Sequence, residues 1–273
     1  MYEGSSLWLP FLFGFVMKSL EPKKAQVYDQ IGRGYVKERQ PDPRIARMIH
    51  AALGDAQTVL NVGAGTGSYE PIDRQVVAVE PSLGMIHQRH DKTVPVIRAV
   101  AEHLPFSEAT FDASLAVLTL HHWQDRERGL AELRRVTRHR IVIYTWDPAC
   151  YDAFWLGTHY LPEIRELDIP RFPSMEELAQ QFGAIESHPV LIPHDCVDGF
   201  LGAYWRRPEA YLDPNVRQAM SGLAQLPQSN IEAAMSRLAD DLSSGHWDEQ
   251  FGWLRTKESM DLGYRLIIVR VTA

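Results

Sequence analysis

The chain has 273 residues, of which 45% are hydrophobic, 23% charged and 10% aromatic. That balance is ordinary for a globular protein and excludes a disordered tail, a collagen-like chain and a polytopic membrane protein. Lys plus Arg number 28 against 35 Asp plus Glu, and the resulting net charge of −7 argues against a general nucleic-acid binder. The two cysteines, Cys150 and Cys196, leave one disulfide conceivable, but a reduced cytoplasmic setting is the expectation.

Residues 4–17, GSSLWLPFLFGFVM, carry no charge. The run is shorter than the roughly 20 apolar residues of a membrane-spanning helix. It also lacks the basic start and small-residue cleavage site of a secretory signal. Three readings stand open. Residues 1–16 are a leader ahead of a start at Met17, or the run is a short buried helix. In the third, Leu9, Phe13 and Val16 form a face that docks a second subunit and makes a homo-oligomer.

From Lys24 onward strands and helices alternate. TVLNVG (58–63), VVAVE (76–80), PVIRA (95–99), FDASLAVL (111–118) and RIVIYT (140–145) are near-continuous apolar runs, as expected of strands covered on both faces. Between them, 41–53 places Ile45, Met48, Ile49 and Leu53 on one helix side, and 125–136 does the same with Leu130 and Leu133. The alternation predicts an α/β protein with a doubly wound parallel sheet. Past Asp147 it loosens into aromatics, prolines and helical pieces, with a capping-box pattern at Ser174 and Glu177. HPVLIPHD (188–195) is a candidate sixth strand and YRLIIVRV (264–271) a final one. Residues 198–255 read as mostly helical, with Asn230 capping a helix that carries Ile231, Ala234, Met235, Leu238 and Leu242 and ends at Gly245. Residues 25–273 then form a single domain, with lid insertions at about 148–182 and 198–255.

The strongest local signal is VLNVGAGTGSYE (59–70), a strand running into Gly63, Ala64, Gly65, Thr66 and Gly67. Glycines there let a ligand approach the backbone closely. A dinucleotide fingerprint wants glycine or alanine where Ser68 stands, so the loop alone leaves the ligand open. Glu80 ends the second strand, 17 residues past Gly63, where a carboxylate can hold both hydroxyls of a ribose. Glu102, in AEHLPF (101–106), follows the third strand and could take the exocyclic amine of an adenine.

In this order the segments resemble the class I S-adenosylmethionine-dependent methyltransferases, in the small-molecule branch that includes quinone-biosynthesis C-methyltransferases. The match covers about 25–147 and the final strands. The resemblance implies a Rossmann-like seven-stranded sheet whose last strand is antiparallel, with a helical lid, and S-adenosylmethionine as cofactor. It places Gly63, Ala64, Gly65 and Gly67 against the methionine part, Glu80 and Pro81 at the ribose, Met85 on the adenine, and Ala101 and Glu102 at its edge. Leu118 and Thr119 would meet the methionine amino group. Two departures stand out. The usual acidic residue of the first motif is Asn61, and TRHR (137–140) lacks the Pro-Gly common before the fifth strand.

Methyl transfer from a sulfonium is an in-line displacement that gains chiefly from alignment in an apolar, aromatic enclosure. His122 and His121, just past the fourth strand, are the candidate catalytic bases, with helix capping and local packing as the alternative. Tyr28, Tyr35, Trp155, Tyr204 and Trp205 are candidate acceptor contacts, with core packing as their alternative. His194, Asp195 and Cys196 are adjacent, a spacing unsuited to one ion, so no metal is expected. Arg134, Arg135, Arg206 and Arg207 read as solvated faces. The expected activity is C- or O-methylation of a small hydrophobic acceptor, aromatic or isoprenoid-like, in natural-product biosynthesis. Nucleic acid is not expected as a partner, nor is a membrane span. An NAD-dependent oxidoreductase and a non-catalytic cofactor-binding module are the competing readings.

Overall fold

The computed structural model describes residues 39–89 and 91–271. Tyr28, Tyr35 and the apolar run containing Leu9, Phe13 and Val16 lie outside the described residues.

Asp42 opens helix α1 (Pro43–Ala52) by accepting the Arg44 N–H, with Pro43 preset in the first turn. Strands β1 (Thr58–Val62) and β2 (Gln75–Val79) follow, then the short helix α2 (Leu83–His87) and strand β3 (Val96–Ile97). β4 (Phe111–Val117) leads through a short 3-10 turn at Leu120–His122 into α3 (Arg126–Val136), which Asp125 caps at the Arg128 N–H. β5 (Thr137–Trp146) comes next, so TRHR is the first part of a strand rather than a loop before it.

The main sheet has seven strands in the order β3-β2-β1-β4-β5-β9-β6, where β6 is Glu186–Pro189 and β9 is Tyr264–Arg270. The first five run parallel, and β9 pairs antiparallel with both β5 and β6. This is the Rossmann-like sheet with an antiparallel final strand. Apolar side chains cover both faces: Ile45, Ile49 and Leu53 belong to one core, and Leu130, Leu133 and Val136 to the other. Burial of both faces explains why the parallel strands read as unbroken apolar runs.

Three local expectations are corrected. HPVLIPHD is not one strand. Its start extends edge strand β6, and Ile192–Pro193 (β7) leaves to pair with Ser259–Met260 (β8) in a separate ladder. Pro189 and Pro193 have no N–H to give a continuous ladder, which confines them to edge positions. Asn230 does not cap its helix. Helix α6 (Gln228–Ser244) starts three residues earlier than that cap implies, directly after Pro227, and the Asn230 amide donates to Glu163 instead (3.1 Å). Gly245 does end it, at φ +85°. At Ser174 half of the capping box forms: its hydroxyl accepts the Glu177 N–H (3.1 Å). The Glu177 carboxylate turns instead to Arg126, at 2.6 and 2.8 Å. Helix α4 (Glu163–Asp168) and helix α5 (Met175–Phe182) flank this junction.

Candidate active site

At the end of β1 the chain folds back across the end of β2. Gly63 and Ala64 both donate their N–H to the Val79 carbonyl, at 2.8 and 3.0 Å. Gly63 sits at φ +69°, and a Cβ there would lie 1.9 Å from Thr119 Oγ1, so only glycine lets the loop close on the end of β4. Gly65, at φ +53°, has the opposite surroundings: nothing lies within 4 Å of where its Cβ would be, because it faces a cavity. The Glu80 carboxylate crosses under this edge. It accepts the Gly65 N–H at one oxygen and the Ser82 N–H at the other, both at 2.8 Å, and is 7% exposed.

Asn61, one of the two departures, belongs to a buried polar cluster. Its amide nitrogen donates to Glu70 Oε1 (2.9 Å), and Glu70 Oε2 is paired with Arg89 at 2.5 Å. The side chains of Arg89 and Glu70 are 2% and 6% exposed. The negative charge expected at position 61 is thus supplied from Glu70, already neutralised by a guanidinium. Arg89 also reaches the Gly65 carbonyl at 3.4 Å, which ties the loop to the end of α2. Since the Asn61 nitrogen must face the carboxylate, its carbonyl oxygen faces away. That oxygen is buried and has no hydrogen-bond donor among the described residues.

Two cavities meet here. The larger, about 740 Å³, is walled by Asn61, the loop from Gly63 to Thr66, Glu80, Pro81 and Met85, Ala101 and Glu102, and Leu118. Of the cofactor candidates, Gly67 alone stands out of that wall. It backs onto Glu70 and Arg89, whose side-chain atoms would be 3.0 and 3.1 Å from an added Cβ. Glu102 Oε1 accepts the backbone N–H groups of Gln124 and Asp125, at 2.7 and 3.2 Å, which draws the turn after β4 over the cavity. The smaller cavity, about 100 Å³, lies among Tyr151, Phe154, Asp168, Phe172 and Tyr264, and shares Arg39, Leu118 and His122 with the first.

His122 lines both cavities and His121 only the second. The two rings lie 3.7 Å apart between centroids, and His121 stacks on Phe172 at 4.2 Å. Trp155, Tyr204 and Trp205 are core residues, exposed by 4%, 9% and 0%, and stand in neither wall. Trp155 donates its indole N–H to the Trp205 carbonyl (2.8 Å) and packs edge-on against Tyr160, Tyr211 and Trp247, which fully occupies it. Arg207 is not a free solvated charge either: it covers the Tyr204 ring at 4.6 Å and donates to the Cys196 carbonyl (2.7 Å).

Sequence reasoning missed Arg39, Asp168 and Arg171. Arg39 pairs with buried Asp198 at 2.6 Å, and Asp198 also accepts the Tyr69 hydroxyl at 2.8 Å. Burial, reinforced by the Asp198 charge, pushes the Tyr69 hydroxyl well above the usual tyrosine range. Among the described residues no group of three His, Cys, Asp or Glu side chains could hold a metal ion, and no helix is long and apolar enough to cross a membrane.

A parallel sheet with a glycine loop at its first crossover and a carboxylate closing the second strand defines an α/β protein built for a nucleoside cofactor. A family profile described as a methyltransferase domain matches residues 60–144. A solved structure of a putative methyltransferase from an antibiotic biosynthesis pathway of Anabaena variabilis is 32% identical, with a TM-score of 0.79, covering 85% of this chain and 98% of that one. The demethylmenaquinone methyltransferase of Corynebacterium urealyticum is 34% identical over 127 residues, 42% of this chain and 54% of its own length. A tRNA (carboxymethyluridine(34)-5-O)-methyltransferase of Xenopus tropicalis is 26% identical over 129 residues, 44% of this chain and 20% of its own length. The chain belongs to the class I S-adenosylmethionine-dependent methyltransferases, and is similar to the quinone C-methyltransferases among them. It spans about half, or less, of the length of these curated relatives.

The residues present fit the family's cofactor. The Asn61 carbonyl oxygen is a buried acceptor in the cavity wall that lacks a donor among the described residues, which suits an ammonium group. The space beside Gly65 that a Cβ would fill is open to a ligand.

Proposed function

We propose that this protein transfers the methyl group of S-adenosylmethionine to a small, largely apolar organic acceptor seated in the second cavity. The observation that carries this reading is the pair of cavities, one shaped by the glycine loop and one by aromatic side chains, joined at Leu118, His122 and Arg39. The cofactor supplies an electrophilic methyl on a sulfonium. Gly63, Ala64, Gly65 and the Asn61 carbonyl oxygen would hold its amino-acid end, Glu80 its ribose, and Met85, Ala101 and Glu102 its adenine. His122, at the junction of the two cavities, is the proposed base for an acceptor hydroxyl, with the His121 ring packed at a tilt against its own. Phe154, Phe172 and Tyr264 give the acceptor an apolar wall that excludes water and suits developing positive charge.

The relatives named above act, by their names, on substrates as different as a menaquinone precursor and a tRNA, so the acceptor must be read from the second cavity. An aromatic or isoprenoid-like acceptor, methylated at carbon or oxygen in a natural-product pathway, agrees with those walls and with the pathway attributed to the Anabaena protein. Free thiols at Cys150 and Cys196 accord with a cytoplasmic location. Self-association through residues 4–17 belongs to the same proposal. Calorimetric titration with S-adenosylmethionine, followed by mass-spectrometric screening of acceptors for the gain of one methyl, tests the function. Failure to bind the cofactor would refute it.

A further inference from the structure

The second cavity carries charged or ionisable side chains where it joins the first, at Arg39 and His122, and again in the part of its wall formed by Asp168 and Arg171. There Asp168, the last residue of α4, is 7% exposed and contributes its side chain to the wall. The other buried aspartates of this region are well satisfied. Asp198 takes Arg39 at 2.6 Å and the Tyr69 hydroxyl at 2.8 Å. Asp42 takes the Arg44 backbone and side chain at 2.9, 3.0 and 2.7 Å. Asp168 differs. Arg171 Nη1 stands 3.6 Å from its Oδ1, beyond hydrogen-bond distance, and no side-chain hydrogen bond reaches it among the described residues. Burial pushes its carboxyl up to about 6, with Arg171 pulling the other way.

Asp168 keeps the long ion pair with Arg171 and a side chain 10% exposed, so a hydrogen-bond donor brought by a ligand would offset the cost of its burial. Its surroundings leave room for one. Gly222 faces it with no side chain, and a Cβ there would come within 3.4 Å of Oδ2. Arg171 is fixed from behind, because its carbonyl accepts from Arg126 (2.7 Å) while Arg126 is clamped to Glu177. Phe172, the next residue, is stacked on His121 and meets Trp146 edge-on at 5.3 Å. The chain just after the carboxylate is therefore braced at two successive residues, as a binding group needs.

We propose that Asp168 is the acceptor-binding residue of the second cavity, receiving a hydrogen bond from a hydroxyl or amine borne by the methyl acceptor. The acceptor class is then an apolar, ring-sized body with an O–H or N–H donor facing Asp168, which lines the second cavity and not the first. The cavity volume of about 100 Å³ is of the order that holds one aromatic ring. This inference rests on the methyl-transfer reading and adds to it the polar half of acceptor recognition.

The test uses the whole protein loaded with S-adenosylhomocysteine and three probes matched in size: phenol, benzylamine and toluene, titrated by NMR. Phenol and benzylamine should bind about tenfold tighter than toluene, the worth of one charge-assisted hydrogen bond. Asp168→Leu should abolish that preference while toluene binding persists. Asp168→Asn, nearly the same in shape, should lose benzylamine and keep part of the phenol affinity, because its amide oxygen still accepts. Equal binding of phenol and toluene to the wild type, or a preference that survives Asp168→Leu, overturns the role of Asp168. Loss of S-adenosylhomocysteine binding by the wild type would instead overturn the methyl-transfer reading, and the probe preference can still be measured without it.

Discussion

The ion pair beneath the glycine loop gives a sharp test of how the cofactor cavity is held. Glu70 and Arg89 meet at 2.5 Å with side chains 6% and 2% exposed, and each supports the loop through a second bond, Glu70 to Asn61 and Arg89 to the Gly65 carbonyl. Glu70→Leu would strand a buried guanidinium, which cannot shed its proton. Breaking a buried pair from one side costs about 3–5 kcal/mol. Arg89→Leu would strand the buried Glu70 carboxylate at a comparable cost. Replacing both with leucine removes the two desolvation costs together and should leave stability within about 1–2 kcal/mol of the parent. Urea unfolding followed by tryptophan fluorescence, run as a double-mutant cycle, measures the coupling. Costs that simply add in the double variant would refute the argument that each charge is buried for the sake of the other.

Three further outcomes are expected. Gly63→Ala puts a Cβ 1.9 Å from Thr119 Oγ1 at φ +69°, so calorimetry should show S-adenosylmethionine affinity falling at least about tenfold, with a stability loss of about 1–3 kcal/mol. His122→Gln should lower methyl transfer to phenols by about a hundredfold or more while cofactor affinity holds; an unchanged rate would remove His122 from the chemistry. Asp168 has a folded pKa of about 6, raised by burial against the opposing Arg171, with Tyr151 and Tyr264 facing it uncharged. A raised acid favours the native state below the unfolded value near 4, and that advantage is lost as pH rises through 6. Asp168→Asn should therefore match the parent at pH 4 and exceed it by about 2–3 kcal/mol above pH 7, as urea midpoints will read.

Much of the cofactor half was legible because its signals are local. A strand, a glycine turn and an acid at the next strand end lie within 23 residues from Thr58 to Glu80, and each has a backbone reason to be where it is. The acceptor half was not legible in the same way. Trp155 and Trp205 looked like pocket residues because aromatics suit both pockets and cores, and only their mutual packing decides which. Asp168 went unmarked, because nothing within a few residues of it announces its burial. Arg39 finds Asp198 across 159 positions, a distance at which periodicity carries no information. Asn61 was visible as a missing charge, but its substitute Glu70 became visible only once the loop folded back.

The small ladder between β7 and β8 has a consequence for engineering. Residues 194–258 leave the main body at Pro193 and return at Ser259, and those two are direct partners in the ladder. Met220, Ser221 and Gly222, which face the second cavity, lie within that excursion, whereas Gly63, Glu80 and Glu102 lie outside it. The excursion is thus a cassette with adjoining ends, and a chimera spliced at 193 and 259 would exchange only the 200–202 and 220–222 side of the acceptor chamber, leaving Asp168 and the fuel supply unaltered.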